Sequence, residues 1–271
     1  CITFIGSYTL IFSTLAKSGL ARHMATQINH IEWATLVEMI AIETIKQYRV
    51  GEPPIQIGQL HSRTAPKWRL QFLIPEGQTA VLFGQGESNK TNIALAAAIS
   101  IQHGVNLLGL TATQGNVLYC DWESSQEELN DRLLAIEAGM ELDFHPDITY
   151  QHFSSPLINV LPELQKLVQA RNISTLIIDS AVEAAGGEKE AKENAGPTLQ
   201  GLRRLGTSNL VLAHHAKNME GKKSPFGSVF WINTPRHVVE VKMTSGEVDE
   251  NSDTMEIGLW RYKSNEIRKM P

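Results

Sequence analysis

Eight residues between a strand-like run and a helix-like run have the composition of a phosphate-binding loop. In order they are Gly84, Gln85, Gly86, Glu87, Ser88, Asn89, Lys90 and Thr91. They match the pattern G-x-x-x-x-G-K-[ST] except at Asn89, which stands in the second glycine position. Such a loop directs backbone N–H groups and the positive end of a helix dipole at an anion. The segment therefore predicts a site for nucleotide phosphates.

Two residues of this loop predict what it binds. Lys90 is placed to reach the β- and γ-phosphates, and the hydroxyl of Thr91 is placed to bind Mg²⁺. Asparagine tolerates positive φ better than most residues, so Asn89 need not destroy the loop, although it crowds the backbone near the phosphates. The competing interpretation is an ordinary strand, turn and helix without a ligand.

Acidic residues follow two further strand-like runs. The apolar run 174–179 ends in Asp179, which would hold Mg²⁺ together with the threonine of the loop. The run 116–121 ends in Asp121, and Glu123 follows two residues later. An acid beside the γ-phosphate can polarise the attacking water. The pattern leaves the choice between Glu123 and Asp121 open, and it also fits ordinary solvated residues at a strand end.

Paired histidines, His214 and His215, follow the apolar run 208–213. Adjacent residues of a strand point to opposite faces, so the two imidazoles cannot easily share one metal ion. No third ligand stands at a zinc-like spacing in the sequence. We therefore expect one of the two imidazoles to contact the γ-phosphate or the attacking water, and the sequence does not choose between them.

Strand-like and helix-like runs alternate from about residue 66 onward, which predicts an α/β fold with helices flanking a mostly parallel sheet. Strands are predicted at 79–83, 116–121, 174–179, 208–213, 236–243 and 254–262. Helices are predicted at 91–103, 125–138, 161–171 and 194–205. The charged segment 183–194 is predicted to be a loop.

The first 60 residues predict a small helical N-terminal segment, with one helix running to about Tyr48. Gly51-Glu52-Pro53-Pro54 follows that helix and is typical of a linker. The α/β domain is therefore predicted over residues 61–271.

Composition limits the remaining alternatives. The formal net charge of −5 argues against a surface coated with basic residues, although a local basic loop remains compatible with it. Two cysteines make no disulfide framework, which indicates a reducing, cytoplasmic location. The apolar start of the chain is too short to span a bilayer, so no membrane contact is expected. Because the chain starts at Cys1, it is interpreted as part of a longer polypeptide.

Residues 68–263 resemble the RecA-like ATPases of the hexameric replicative-helicase type, which include plasmid RepA-like helicases. The resemblance rests on five motifs in the same order: GQGESNKT, VLYCDWESSQEELNDRL, TLIIDS, LVLAHHAK and GSVFWINTPR. It implies a RecA-like fold, ATP and Mg²⁺ as ligands, and a homo-oligomeric ring, as in the family's hexamers. It also implies that Glu123 is the catalytic base and Asp179 the Walker B acid, and that His214 or His215 senses the γ-phosphate.

The resemblance further implies a site shared between subunits. Arg236 stands where the family places an arginine finger, which acts on the ATP of the neighbouring subunit. Lys263 matches a family position near the subunit interface. Hydrolysis would then require assembly, because each site is complete only between two copies.

Single-stranded DNA is the expected partner. RecA-like rings bind it through loops that include the one after the histidine strand. In this chain that loop carries Lys217, Lys222 and Lys223 together with Phe226. Lysines can contact phosphates and an aromatic ring can stack on a base. A solvated loop without a ligand fits the same residues.

Three functions therefore compete. The first is a DNA-stimulated ATPase motor of the helicase or DNA-replication type. The second is a recombinase-type protein that uses ATP as an assembly switch on DNA. The third is a degenerate subunit that binds nucleotide without hydrolysis, for which Asn89 is the argument.

Overall fold

The structure is a computed structural model that describes residues 14–50, 54, 66–86, 88–187, 191–215, 229–243 and 256–265. The chain divides into two compact units, Cys1–Thr64 and Ala65–Pro271. The boundary predicted between residues 60 and 61 falls just before this division.

The first unit contains two helices, α1 (Thr14–Gln27) and α2 (Trp33–Val50). They pack on each other through small residues, since Ala21 of α1 and Ala41 of α2 are buried. Lys17 of α1 lies 2.6 Å from Glu38 of α2 and adds an ion pair between the helices. Over the described ranges, no helix has both the length and the apolar character needed to cross a membrane.

The second unit alternates strands and helices, as the sequence predicts. Its strands are β1 (Trp68–Leu70), β2 (Ile74–Pro75), β3 (Thr79–Gly84), β4 (Asn116–Asp121), β5 (Thr149–His152), β6 (Ile173–Asp179), β7 (Ser208–His214), β8 (His237–Met243) and β9 (Ile257–Ser264). Its helices are α3 (Lys90–His103), α4 (Gln126–Gly139), α5 (Leu157–Ala170), α6 (Ala181–Ala184), α7 (Ala191–Arg204) and α8 (Phe230–Asn233). A 3₁₀ turn covers Leu107–Gly109.

Seven of these strands form one sheet in the order β5-β4-β6-β7-β3-β8-β9. Every neighbouring pair is parallel except β8 and β9, which are antiparallel. The short strands β1 and β2 form a separate antiparallel pair. The α/β fold with a mostly parallel sheet flanked by helices is therefore confirmed.

Two predictions about the elements are wrong. The segment 183–194 is not one loop, because α6 extends to Ala184 and α7 begins at Ala191. Ala184, Ala191 and Ala195 are buried in the core, and this packing outweighs the glycines and charges nearby. Helix α5 begins at residue 157 rather than 161, since Leu157 is also buried in the core.

Both faces of the central parallel strands are buried, as expected for strands that carry helices on each side. Along β4, Val117 and Tyr119 face the side covered by α3, whereas Leu118 and Cys120 face the side covered by α5 and α7. The small residues of α3 let this helix approach the sheet closely, because Ala94, Ala97 and Ala98 are all fully buried. The sheet is thus a rigid platform for whatever its strand ends carry.

The central sheet predicts a strong effect of truncating a core side chain. We expect Leu118→Ala, at a fully buried position, to lower the free energy of unfolding by about 2–5 kcal/mol, because it leaves a cavity. The matched control is Leu134→Ala on α4, where the side chain is 43% exposed and the expected change is within about 0.5 kcal/mol. Urea denaturation measures both, and equal effects would contradict the described core.

Candidate active site

The phosphate-binding loop connects the end of β3 to the start of α3. A side chain at Gly84 has no room, since a Cβ atom there would lie 2.7 Å from Ser88 Oγ and 2.9 Å from the carbonyl oxygen of Val241. Asn89 has φ 60° and ψ 23°, the left-handed conformation that a glycine would adopt without strain. Asparagine is among the few residues that accept this conformation, which explains how the loop keeps its course without its second glycine.

The side chain of Lys90 lies inside this loop and is only 6% exposed. Its ammonium group donates to the carbonyl oxygens of Gln85 at 2.6 Å and Gly84 at 3.4 Å. It also lies 3.3 Å from Ser88 Oγ. Burial lowers the pKa of Lys90, while the carboxylates of Asp179 and Glu123 act in the opposite direction. The loop therefore encloses a cation at the place where phosphates are expected.

The predicted pair of magnesium ligands is joined by a hydrogen bond. Thr91 Oγ1 donates to Asp179 Oδ2 at 3.0 Å, and the phenol of Tyr119 donates to the same oxygen at 2.7 Å. Burial raises the pKa of Asp179, and the two hydrogen bonds oppose this rise. Hydroxyl and carboxylate oxygens are the ligands that Mg²⁺ prefers, so the two predicted residues fit this ion.

Among the described residues, no three histidine, cysteine or acidic side chains cluster as a protein-only metal site would require. This agrees with the way in which Mg²⁺ is commonly held at nucleotide sites. There the protein supplies one or two oxygen ligands, and the phosphates and water supply the rest.

Asp121 is fully buried and both of its oxygens are occupied. Oδ1 accepts the backbone N–H groups of Glu123 at 3.0 Å and Ser124 at 3.1 Å, and Oδ2 accepts the phenol of Tyr150 at 3.0 Å. These bonds fix the turn that follows β4. Between the two acids that the sequence left open, the geometry favours Glu123 as the group that meets a ligand.

The carboxylate of Glu123 is 45% exposed and stands beside His214, with Nε2 of the imidazole 3.6 Å from Oε1. The imidazole of His214 holds the pKa of the Glu123 carboxyl below its usual value. Burial acts against this shift, while Ser180 and the charge of Lys90 support it. The group therefore stays ionised, as a proton acceptor must.

His215 lies on the opposite side of the strand end from His214. Its Nε2 atom is 3.4 Å from Oε1 of the buried Glu240, and its ring packs edge-on against Phe83 with centroids 5.2 Å apart. Its backbone N–H donates to the carbonyl oxygen of Gly84 at 3.0 Å. The expectation that adjacent histidines face opposite ways is confirmed, and His214 is the one that lies beside Glu123.

The phosphate-binding loop, Glu123 and His214 border one cavity of about 310 Å³, within the range of small-molecule sites. Its lining residues are Ser88, Asn89, Lys90, Thr91, Glu123, Ser124, Glu128, Arg132, Asp179, Ser180, Leu212 and His214. The structure thus brings together five predicted residues. They are Lys90, Thr91, Glu123, Asp179 and His214.

Arg132 lines this cavity although sequence reasoning assigned it no role. Its guanidinium donates to Glu128 Oε1 at 2.8 Å and to Asn92 Oδ1 at 3.3 Å. Both Glu128 and Arg132 lie on α4, four residues apart, on the turns that follow Glu123. That i,i+4 spacing directly after a candidate catalytic acid is the signal that could have identified the arginine.

Arg236 lies at the opposite end of the strands from the cavity. Its backbone N–H donates to the carbonyl oxygen of Thr79 at 3.2 Å, so it stands beside the start of β3, whereas the phosphate-binding loop follows Gly84 at the end of that strand. The five residue steps from Thr79 to Gly84 span roughly 16 Å at the rise of a β-strand. The exposed side chain of Arg236 is therefore remote from the phosphate-binding loop of its own chain.

Lys263 lies at the same end of the strands as Arg236. Its ammonium donates to three backbone carbonyl oxygens around the end of α8, those of Ile232 at 3.0 Å, Asn233 at 2.7 Å and Pro235 at 2.9 Å. Burial lowers the pKa of Lys263, and the charge of Arg236 lowers it further. On its own chain this lysine therefore braces the turn that carries Arg236.

Several predicted residues lie outside the described part of the chain. They are Glu87 of the phosphate-binding loop and the three lysines Lys217, Lys222 and Lys223. The Gly227-Ser228 pair that precedes Arg236 also lies outside it.

The chain matches the AAA_25 family, described as an AAA domain, over residues 49–220. No curated protein matches the sequence. The fold is similar to the crystal structure of a KaiC-like protein from the hyperthermophilic archaeon Pyrococcus horikoshii OT3, with a TM-score of 0.53 and 18% sequence identity. That similarity covers 74% of this chain and 87% of the archaeal one, and at such identity it shows the fold. Because the family match extends over more than half of the sequence, the chain belongs to the AAA_25 family of AAA-domain proteins and is a P-loop ATPase with a RecA-like fold.

Proposed function

We propose that this chain hydrolyses ATP in a site that a second copy completes, and that it acts on DNA as a ring-forming motor of the helicase or replication type. The observation that carries the proposal is the place of Glu123. Its half-exposed carboxylate stands 3.6 Å from His214 in the same cavity as Lys90 and Asp179. A base, a cation and a magnesium-binding acid around one cavity are the parts that phosphoryl transfer needs.

Each residue has a role that follows from its chemistry. Lys90 would leave the loop carbonyls and bind the phosphate oxygens. Thr91 and Asp179 would hold Mg²⁺, which when bound neutralises charge on the β- and γ-phosphates. Glu123 would accept a proton from the attacking water, and His214 would orient Glu123 and contact the γ-phosphate region.

The position of Arg236 supports a site shared between copies. It lies roughly 16 Å along β3 from the phosphate-binding loop of its own chain, so it can act on a nucleotide only across an interface. An arginine supplied in trans stabilises the charge that develops in the transition state. A repeated contact of this head-to-tail kind builds a ring if its rotation closes and a filament if it does not. The resemblance to replicative helicases favours a closed ring of six copies.

DNA binding is supported by the sequence resemblance and by the composition of the segment after β7. Lys217, Lys222 and Lys223 would contact phosphates of a single strand, and Phe226 could stack on a base. The recombinase-type switch remains the second candidate, because it would use the same fold and the same lysines. Strand unwinding separates the two, since only the motor unwinds a duplex.

The first prediction concerns hydrolysis. We expect Mg²⁺-dependent release of phosphate from ATP, increased by single-stranded DNA and abolished in Lys90→Ala because the loop loses its cation. The double variant Lys222→Ala, Lys223→Ala should keep the basal rate and lose the stimulation. A phosphate-release assay with and without DNA measures all of these. Nucleotide binding without any hydrolysis would instead favour the degenerate subunit.

The second prediction tests the shared site. Arg236→Ala should reduce kcat by about 10³-fold while the chain still binds nucleotide, because the arginine acts only on the transition state. Mixing Arg236→Ala with Lys90→Ala protein should restore activity, since some interfaces then combine an intact loop with an intact arginine. Arg171→Ala, at the end of α5, is the control and should keep full activity. Two inactive variants that stay inactive when mixed would contradict the shared site.

The third prediction concerns pH. A carboxylate whose pKa is lowered stays active down to a lower pH, and its activity is lost as pH falls through that lowered pKa. His214 is the largest cause of the lowering at Glu123. His214→Ala should therefore move the acid limb of the hydrolysis profile to higher pH, whereas His145→Ala, at the exposed pair with Glu137, should leave it in place. An unmoved limb in both variants would rule out this role of His214.

A further inference from the structure

A buried phenol contacts the candidate magnesium acid from the neighbouring strand. Tyr119 lies on β4 opposite Ile177 of β6 and is only 1% exposed. Its side chain reaches along the shared face of the two strands, and its hydroxyl lies 2.7 Å from Asp179 Oδ2. Thr91 Oγ1 lies 3.0 Å from the same oxygen. Two hydroxyls from different elements therefore converge on one oxygen of this carboxylate.

We propose that Tyr119 is a positioning residue for the metal site, which fixes the orientation of the Asp179 carboxylate. The hydrogen bonds from Tyr119 and Thr91 both end on Oδ2, so they set the rotation of the carboxylate about its Cβ–Cγ bond. The direction in which the other oxygen, Oδ1, points is thereby fixed as well. The inference rests on the proposed function, in which these two residues hold Mg²⁺.

The hydroxyl of Tyr119, and not its ring, carries this role. A phenylalanine would fill the same space in the core of α3 and the sheet, where Leu82, Leu95 and Leu212 are also buried. Burying a hydroxyl is unfavourable unless it finds a partner, and the partner here is Asp179. Hydrogen bonds that orient a metal ligand typically contribute a factor of 10–100 to metal affinity.

Thr91 cannot supply this orientation alone. In the proposed site its oxygen is itself a ligand of the metal, so its hydrogen bond to Asp179 adjusts when the metal binds. Tyr119 projects from the rigid sheet and keeps its position. The carboxylate of Asp179 is therefore held by Thr91, which takes part in metal binding, and by Tyr119, which does not.

The chain offers a matched control on the neighbouring strand β5. The phenol of Tyr150 on β5 donates to Asp121 Oδ2 at 3.0 Å, which is the same kind of bond between neighbouring strands. Asp121 is occupied by the turn after β4 and stands outside the metal site. Removing the hydroxyl of Tyr150 therefore tests the general loss of a part-buried hydrogen bond between a phenol and an aspartate on neighbouring strands.

The experiment measures binding of a fluorescent, non-hydrolysable ATP analogue while Mg²⁺ is titrated from none to saturation. With Tyr119→Phe we expect binding without Mg²⁺ to be unchanged and the Mg²⁺ concentration at half-saturation to rise by about tenfold. With Tyr150→Phe we expect the Mg²⁺ dependence of the unchanged chain. In an Asp179→Ala background, Tyr119→Phe should add no further shift, because the carboxylate that accepts the tyrosine's hydrogen bond is gone.

Several outcomes would overturn the proposal. One is a Mg²⁺ dependence of Tyr119→Phe equal to that of the unchanged chain, and another is an equal shift in Tyr119→Phe and Tyr150→Phe. A Tyr119→Phe effect that persists in full in the Asp179→Ala background would also do so. If the unchanged chain binds the analogue without any response to Mg²⁺, the proposed function itself fails, and that result is distinct from the other three.

Discussion

Four parallel strands, β3, β4, β6 and β7, lie side by side in register, and the polar groups of the candidate site stand at or just after their carboxyl ends. Gly84 lies beside His214, and Asp121 lies beside Asp179. The apolar residues behind these ends bury both faces of the sheet and leave the backbone little freedom to shift. A one-residue slip of any strand would turn its terminal side chain to the other face, so the site exists only in this register.

The two acids at the end of β4 and just after it differ in burial. Asp121 is enclosed and accepts three hydrogen bonds, which makes it part of the framework. Glu123 follows two residues later, beyond the sheet, and keeps a half-exposed carboxylate. The buried acid organises the turn, and the turn presents the second acid to the cavity. The end of β4 and the turn after it therefore supply one acid that belongs to the framework and one that lines the cavity.

Much of this site was predictable because its signals are local. The phosphate-binding loop, Asp179 and the strands β3, β6 and β7 are read from consecutive residues. Strand β5 was not predicted, because Thr149–His152 has no run of apolar residues, and it forms by pairing with β4. Local pairing signals are weak at the edge of a sheet, where only one neighbour contributes.

What the sequence could not supply is long-range contact. Tyr119 and Asp179 are 60 residues apart, and only the alignment of β4 and β6 brings the phenol to the carboxylate. The choice between His214 and His215 likewise depends on which face of β7 meets Glu123 and which meets Glu240. The bracing of the turn before Arg236 by Lys263 requires β9 to fold back along β8.

The carbonyl oxygen of Gly84 accepts from two directions at once, from the ammonium of Lys90 at 3.4 Å and from the backbone N–H of His215 at 3.0 Å. If the lysine turns toward a ligand, the bond from His215 remains, and together with the pairing of Gly84 and His214 it connects the start of the phosphate-binding loop to the end of β7. A lengthening of about 0.6 Å is enough to remove a hydrogen bond. Movement of the loop beyond that distance must either break this bond or pull the end of β7 with it. The start of the phosphate-binding loop and the end of β7 are thus mechanically coupled through their peptide groups.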